Sequence, residues 1–377
     1  MPSDSKIPGF ATPEGTARFR GRFASRLPQH FREAQALWLS SIGLGTYLGE
    51  PTAEYDARYR EAVRRAVEFG TNVFDSAINY RHQRSERAIG AALAELFASG
   101  SVRRDEVFVS TKGGFLTFDA DEPDDPSAYF NQKLIEPGIV RADEVAAGCH
   151  VMSPAYLENQ IEASRVNLGL ETLDLYYVHN PETQLSQVSR ADFYRRLKAA
   201  FAELEKAVAQ RKIRMYGTAT WNGYRAGVDS REAFSLSEAL RLAQEVGGAS
   251  HHFRALQLPY NLAMPEALTL STQQLEGKPV PVLRVAQSRR LMVFASATLL
   301  QGQLASGMPT ELGERLPGFQ TDAQRAIQFV RSTPGITCAL VGMSRSEHLK
   351  EDLSTARVAP LSVEQFRSIF AHSSGSV

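Results

Sequence analysis

The sequence predicts an α/β fold in which eight strand and helix units close into a single (β/α)8 TIM barrel. From about residue 38 onward, short apolar runs alternate with segments of helical periodicity. Hydrophobic residues make up 43% of the 377 residues, so the chain can bury a large core. No break in composition divides the alternating stretch, which favours one barrel over two smaller domains.

Each predicted strand is a short run rich in Val, Ile, Leu, Tyr or Phe. The barrel strands are predicted at 39–46, 71–74, 107–111, 173–178, 213–219, 253–258, 291–296 and 338–342.

The predicted helices follow their strands and begin at recognisable start signals. Pro154 suits the first turn of a helix, and Ser235 and Glu238 have the spacing of a capping box. The helices are predicted at 54–69, 85–100, 153–169, 191–210, 235–246, 280–288, 321–331 and 346–355, and a last amphipathic segment at 362–370 is expected to pack outside the barrel.

An open, doubly wound sheet is the competing fold, because it shows the same alternation of strands and helices. That fold carries a Gly-x-Gly-x-x-Gly turn after its first strand when it binds a dinucleotide. Gly43, Gly45 and Gly49 do not have this spacing. The missing motif favours the closed barrel.

The barrel domain is predicted over 37–377, with 1–36 as an N-terminal extension. The extension contains several arginines, which would suit an organelle address, but Asp4, Glu14 and Glu33 count against that reading. No run approaches the length of a membrane span, and no hydrophobic core of a signal peptide follows the first methionine. We expect an arm that packs over the barrel.

Charge and cysteine content narrow the class of partner and the location. The 42 basic and 42 acidic residues balance, so the chain has no general attraction for nucleic acid or an anionic membrane. Cys149 and Cys338 form neither a CxxC pair nor a zinc motif, and His251-His252 lacks further ligands at metal spacing. We expect a cytoplasmic protein that binds a small molecule and no metal. The oligomeric state is not predicted.

Ionisable side chains stand at the ends of several predicted strands. The segment TNVFDSAINYRHQRSERAIG (71–90) places Asp75 at the end of one strand and Tyr80 in the following loop. Lys112 follows the next strand, and His179 follows the one after it. Active sites of TIM barrels lie at the C-terminal ends of the strands. These four residues are therefore the candidate catalytic group.

In these segments the chain resembles the aldo-keto reductase superfamily. The matching segments keep the family's order over about residues 37–357. They are GTNVFDSAINYRHQRSERAIG, STKGG, LDLYYVHNP, KIRMYGTATWN, LQLPYN and LVGMSRSEHLKEDL.

The resemblance implies a hydride transfer between a nicotinamide cofactor and a carbonyl group. Tyr80 would be the acid/base, with a pKa lowered by the Lys112 ammonium, and Asp75 would hold that ammonium. His179 would donate a hydrogen bond to the carbonyl oxygen.

The resemblance also implies a binding site for NADP, with NAD possible. The Gln257 amide would hold the carboxamide of the nicotinamide, and Arg345 would grip the 2′-phosphate. His348 and Asp352 stand where relatives carry Arg and Asn, which weakens the preference for NADP. The predicted cofactor residues are Gly45, Thr46, Asp75, Gln257, Ser296, Gly342, Met343, Ser344, Arg345, Glu351 and Asp352.

Two strand ends depart from the family pattern. Ala219-Thr220 replaces a common Ser-Asn, so a polar clamp is lost or is supplied by Thr220 or Asn222. Ala295 stands where an aromatic stacking platform is common. The loop 115–152 is long enough to shape substrate access, and Phe115, Phe118, Tyr129, Phe130, Trp221 and Tyr260 are candidates near the pocket.

The predicted function is an NADP(H)-dependent oxidoreductase that reduces a small aldehyde, ketone or sugar, with Tyr80 as proton donor. An NAD(P)+-dependent sugar dehydrogenase is the alternative, because the same residues serve the reverse reaction. A nucleotide-binding regulatory subunit is a further alternative, which the intact catalytic group disfavours.

Overall fold

The structure is a computed structural model that describes residues 6–370. Within that range, eight parallel strands close into a barrel, which confirms the predicted fold class. Two antiparallel hairpins lie outside the barrel. In chain order the strands are β1 (Phe31–Ala34), β2 (Leu37–Ser40), β3 (Ile42–Gly45), β4 (Val73–Asp75), β5 (Phe108–Gly113), β6 (Leu173–His179), β7 (Ile213–Ala219), β8 (Phe253–Pro259), β9 (Gln273–Leu275), β10 (Lys278–Val280), β11 (Met292–Ser296) and β12 (Cys338–Gly342).

The barrel strands follow the order of the chain, from β3 through β8 to β11 and β12, and β12 pairs again with β3. Their register aligns the C-terminal ends. Gly45 lies opposite Asp75, and Lys112 lies opposite Tyr177. His179 lies opposite Ala219. The polar residues at the strand ends therefore meet at one mouth of the barrel, as the sequence predicts.

Helices connect the barrel strands and cover their outer face. Thr52, Ser189 and Ser235 accept a backbone N–H of the first turn at the starts of three of these helices. The helices are α1 (Pro13–Gly21), α2 (Ala53–Glu68), α3 (Arg84–Ala98), α4 (Pro126–Phe130), α5 (Pro154–Leu168), α6 (Arg190–Ala209), α7 (Leu236–Gly247), α8 (Glu266–Thr269), α9 (Val282–Ser288), α10 (Thr310–Glu314), α11 (Asp322–Ser332), α12 (Ser346–Ser354) and α13 (Val363–Ser368).

The first predicted strand, 39–46, is wrong in its extent. The structure divides it between β2, which belongs to a hairpin with β1, and β3, which is the first barrel strand. Ser40 is the last residue of β2: it pairs with Phe31 of β1, and its hydroxyl donates to the carbonyl oxygen of Ile42, the first residue of β3. Apolar content alone does not separate two strands that are both buried.

The β1–β2 hairpin packs against the N-terminal mouth of the barrel. Leu37 and Leu39 are buried in one apolar cluster with Val73, Phe108 and Phe294 of the barrel strands. Helix α1 contacts β2. This arrangement agrees with the expected arm over the domain, and the hairpin lies across the predicted boundary at residues 36 and 37. The opposite mouth, where the strands end, is left for a site.

Among the described helices, none combines the length and the apolar character that crossing a bilayer requires.

Candidate functional site

The centre of the site is an ion pair inside the mouth of the barrel. The Lys112 Nζ lies 2.6 Å from Asp75 Oδ2 and donates a second hydrogen bond of 2.5 Å to the carbonyl oxygen of Ser76. Ser110 Oγ donates to the other carboxylate oxygen at 2.7 Å. Lys112 lies within β5 rather than after it, so its side chain is completely buried. The pair joins two neighbouring strands.

Lys112 stays charged in this position. Burial lowers the pKa of an ammonium, but the charge and hydrogen bond of Asp75, together with those of Tyr80, outweigh burial and raise the pKa of Lys112 above its ordinary value. The site therefore holds a buried cation beside the phenol at neutral pH.

Tyr80 lies directly over this cation. The Lys112 Nζ is 4.8 Å from the centre of the Tyr80 ring. Burial raises the pKa of Tyr80, and the Lys112 charge lowers it by less, so the net pKa lies above the ordinary value. The sequence predicts a lowered pKa. The Lys112 charge acts in the predicted direction, but burial of the phenol outweighs it and the net shift of the Tyr80 pKa is upward.

His179 stands beside Tyr80 at the same mouth. Their ring centres are 5.8 Å apart, and the planes meet at 76°. Burial and then the Lys112 charge hold the pKa of His179 well below its ordinary value, so the imidazole is neutral. Within residues 6–370 its Nδ1 is buried without a hydrogen-bond partner. A neutral imidazole is a hydrogen-bond donor at one nitrogen only.

A cavity of about 970 Å³ begins at this group and extends to the start of α12. Asp75, Tyr80 and His179 line one end, and Arg345, His348, Glu351 and Asp352 line the other. The volume matches the upper range of small-molecule sites in proteins.

Most of the residues predicted to bind a cofactor line this cavity. They are Gly45, Thr46, Asp75, Gln257, Ser296, Gly342, Ser344, Arg345, Glu351 and Asp352. Met343 is the exception: its side chain is fully buried in the apolar core between strands and helices. The side chains of a strand end alternate in direction, so the residue between Gly342 and Ser344 points away from the cavity.

Gln257 connects the predicted cofactor site to the ion pair. Its Nε2 donates to Asp75 Oδ1 at 2.9 Å, and the side chain lines the cavity. The Asp75 carboxylate thus accepts bonds from Lys112 and Ser110 of β5 and from Gln257 of β8.

The two departures from the family pattern have different outcomes. Thr220 lines the cavity, and its hydroxyl is buried with no partner among the described residues, whereas Asn222 bonds Glu232 outside the cavity. Ala295 is buried in the core behind β11 and does not face the cavity. Ala295 therefore offers no stacking surface to the cavity, and Ser296 is the cavity-facing residue there.

The aromatic candidates differ in whether they line the cavity. Phe115 and Trp221 line the cavity, whereas Tyr260 is fully buried and bonds Thr333. Phe118 stacks on Phe130 within the long loop, away from the cavity wall. Among the residues of that loop, Phe115 alone lines the cavity.

Sequence reasoning missed several wall residues. Tyr47 packs edge-on against Tyr80 with ring centres 5.1 Å apart. Leu48, Asn79, Asn180 and the segment 298–302 also line the cavity. Tyr47 follows the end of β3, so the rule that identified the other strand ends would have found it.

The fold and the site together define the class of this protein. It is a TIM barrel that carries a Tyr, a Lys–Asp pair and a His at its C-terminal mouth, at one end of an elongated cavity. The family model described as "Aldo/keto reductase family" matches residues 41–226. The chain is 26% identical over 140 residues to prostaglandin F synthase 1 of Bos taurus and 30% identical over 140 residues to aldose reductase B of Dictyostelium discoideum. Both alignments cover 37% of this chain and about a third of the relative, 31% and 32%.

Solved structures share the whole barrel. An aldo/keto reductase from Klebsiella pneumoniae, solved in complex with NADP and acetate, has a TM-score of 0.60 at 20% identity. The alignment covers 90% of this chain and 94% of that protein. An aldo-keto reductase from Bacillus halodurans has the same TM-score at 18% identity, with 90% of this chain covering 95% of it. These two likenesses show the fold. The family model, which matches residues 41–226, agrees with the resemblance of the sequence to the aldo-keto reductase superfamily.

Replacing Asp75 by Asn should destabilise the protein strongly. Lys112 would keep its burial and lose its counter-charge, and breaking a buried pair in this way costs about 3–5 kcal/mol. Urea unfolding followed by circular dichroism measures the loss. Asp143→Asn is the control, since it removes an exposed pair with Arg141 and should leave the midpoint unchanged. Equal midpoints for Asp75→Asn and wild type would contradict the assignment of a stabilising buried pair.

Proposed function

We propose that the protein is an NADP(H)-dependent oxidoreductase that reduces the carbonyl group of a small aldehyde, ketone or sugar. The observation that carries this proposal is the juxtaposition of Tyr80 and His179 on the cavity wall, with the Lys112–Asp75 pair behind them. The match of residues 41–226 to the aldo/keto reductase family model supports the same reaction class.

Tyr80 and His179 can both donate to one oxygen. Carbonyl reduction places negative charge on the carbonyl oxygen, so the site needs donors that keep their protons until that charge develops. The raised pKa keeps Tyr80 protonated at neutral pH, and the lowered pKa keeps His179 as a neutral N–H donor. The Lys112 ammonium then stabilises the phenolate that proton transfer leaves on Tyr80.

The far end of the cavity suits the nucleotide. NADPH supplies the hydride when it is bound. The free backbone N–H groups at the start of α12 favour a phosphate, and Arg345 is exposed beside them. Burial and then Glu351 raise the pKa of Asp352 to about 7, so this carboxyl group is partly protonated at neutral pH. In that form it can hydrogen-bond the edge of a nucleotide base. Gln257 and Thr220 supply polar groups nearer to Tyr80.

The end of the cavity around Tyr80 suits an uncharged substrate. Tyr47, Phe115 and Trp221 give it aromatic walls, and Asn79 and Asn180 add polar groups. Among the described lining residues, the basic side chains Arg345 and His348 lie at the opposite end. A substrate carboxylate or phosphate would find no cation beside Tyr80 other than the occupied Lys112.

Replacing Tyr80 by Phe should remove the proton donor and keep the cofactor site. We expect turnover on a panel of aldehydes and sugars to fall by about 10²–10⁴-fold, the usual range for losing general acid catalysis. The affinity for NADPH, measured by fluorescence titration, should stay within several-fold. Tyr176→Phe is the matched control, because its hydroxyl is buried, unpartnered in the described residues and outside the cavity wall.

Unchanged turnover in Tyr80→Phe would contradict the proton-donor role. Tight NADPH binding by the wild type without turnover on any carbonyl would instead support the regulatory alternative.

Replacing Arg345 by Ala should separate NADPH from NADH. A charged hydrogen bond to the 2′-phosphate contributes about 1.5–3 kcal/mol, so NADPH affinity should fall by roughly 10-fold or more. NADH, which lacks that phosphate, should keep its affinity. Lys350→Ala is the control, since Lys350 is exposed on the same helix but does not line the cavity. An equal loss for both cofactors, or no loss, would contradict the role of Arg345.

A further inference from the structure

A chain of hydrogen bonds runs from the surface of the barrel to the backbone of His179. Arg196 Nη1 donates to Gln184 Oε1 at 2.6 Å. Gln184 Nε2 lies 2.9 Å from His150 Nδ1, and His150 Nε2 lies 2.7 Å from the carbonyl oxygen of His179. Gln184 and His150 are both completely buried. None of these residues other than His179 lines the cavity.

The donors and acceptors in this series of hydrogen bonds can be assigned in only one way. Arg196 carries donors only, so the Gln184 oxygen must face it. The Gln184 nitrogen also donates to the carbonyl oxygen of His150 at 3.0 Å, which fixes the same amide orientation. An amide N–H therefore points at His150 Nδ1, which must be the unprotonated nitrogen. The proton of His150 is then on Nε2 and is donated to His179.

Burial supports this neutral form of His150 and lowers its pKa to about 4. A proton on Nδ1 would oppose the amide N–H of Gln184, so the hydrogen bonds and burial favour the same state.

The backbone around the bond is shaped to admit it. Gly114 has φ +149°, and a Cβ there would lie 2.8 Å from His150 Nε2 and 2.8 Å from the carbonyl oxygen of His179. A side chain at this position would occupy the space of the hydrogen bond. The glycine at the end of β5 therefore allows His150 to reach the end of β6.

Phe115 completes the connection to the catalytic ring. It packs edge-on against His150 with ring centres 5.2 Å apart, and edge-on against His179 at 5.1 Å. His179 Nδ1 has no hydrogen-bond partner within residues 6–370. The orientation of the His179 imidazole thus depends on its backbone and on ring packing.

We propose that His150 is a positioning residue for His179. Its Nε2–H donates to the His179 carbonyl oxygen, and its ring packs against Phe115, which in turn packs against the His179 imidazole. The proposal rests on the proposed function in so far as His179 acts on a carbonyl substrate. On this proposal, the end of the 115–152 loop that carries His150 positions His179.

Kinetics of two replacements test the proposal. His150→Leu removes the donor, whereas His150→Gln keeps an amide N–H toward His179 and an amide oxygen toward Gln184. We expect kcat for carbonyl reduction to fall by about 10- to 100-fold in His150→Leu, because small displacements of a catalytic group have costs of that size. NADPH affinity should stay within about twofold. His150→Gln should recover most of kcat, and Cys149→Ala, at the neighbouring half-exposed thiol, should match wild type.

Imidazole ¹⁵N spectra of histidine-labelled protein give a second readout that does not require turnover. In wild type we expect His150 with its proton on Nε2 and not on Nδ1. The His179 signals should shift in His150→Leu and return in His150→Gln. A wild-type His150 protonated on Nδ1 would overturn the proposal even if His150→Leu failed to fold.

The proposal would also be overturned if His150→Leu left both kcat and the His179 signals unchanged, or if His150→Gln were as defective as His150→Leu. A wild type that reduces no carbonyl would refute the proposed function, while the spectra would still decide the role of His150.

Discussion

The structure depends on one buried contact, the Lys112–Asp75 ion pair. A charge inside a barrel is costly to desolvate, and the pair is tolerated because each partner is fully bonded. Asp75 accepts bonds from β5 and β8, and Lys112 donates to the carbonyl of Ser76 beyond β4. Three strands are thereby held in register at the mouth. The same contact keeps a cation under Tyr80.

The balance of burial and charge decides the chemistry of the site. Burial pushes Tyr80 and His179 toward their neutral forms, and the Lys112 charge opposes burial at the phenol but adds to it at the imidazole. The result is two neutral donors beside a cation. A site of this kind suits an oxygen that is neutral at first and becomes negative during the reaction.

The sequence predicts most of the barrel and the meeting of the candidate catalytic residues at one mouth of it. Parallel strands end at one edge, so Asp75, Lys112 and His179 could be brought together from their positions after apolar runs. The errors share a cause. The direction of the Met343 side chain and the extent of the first strand were misjudged because both depend on register, which composition does not specify.

Two features could not have been predicted from sequence. The net pKa of Tyr80 depends on how completely the fold buries it, which only packing reveals. The hydrogen bonds from Arg196 to His150 join residues from different segments between the barrel strands, and none of these residues belongs to a recognisable motif. The segments that resemble a family identify what the site contains, whereas packing determines how its members are oriented.

The ionisation of Tyr80 is the most direct measurement of this account. A pH titration of tyrosinate absorbance, taken as the difference between wild type and Tyr80→Phe, reports this phenol alone. The account predicts ionisation above the ordinary value of about 10, because burial outweighs the charge of Lys112. A tyrosinate signal from Tyr80 near neutral pH would contradict it, since the residue would then have lost the proton that it is proposed to donate.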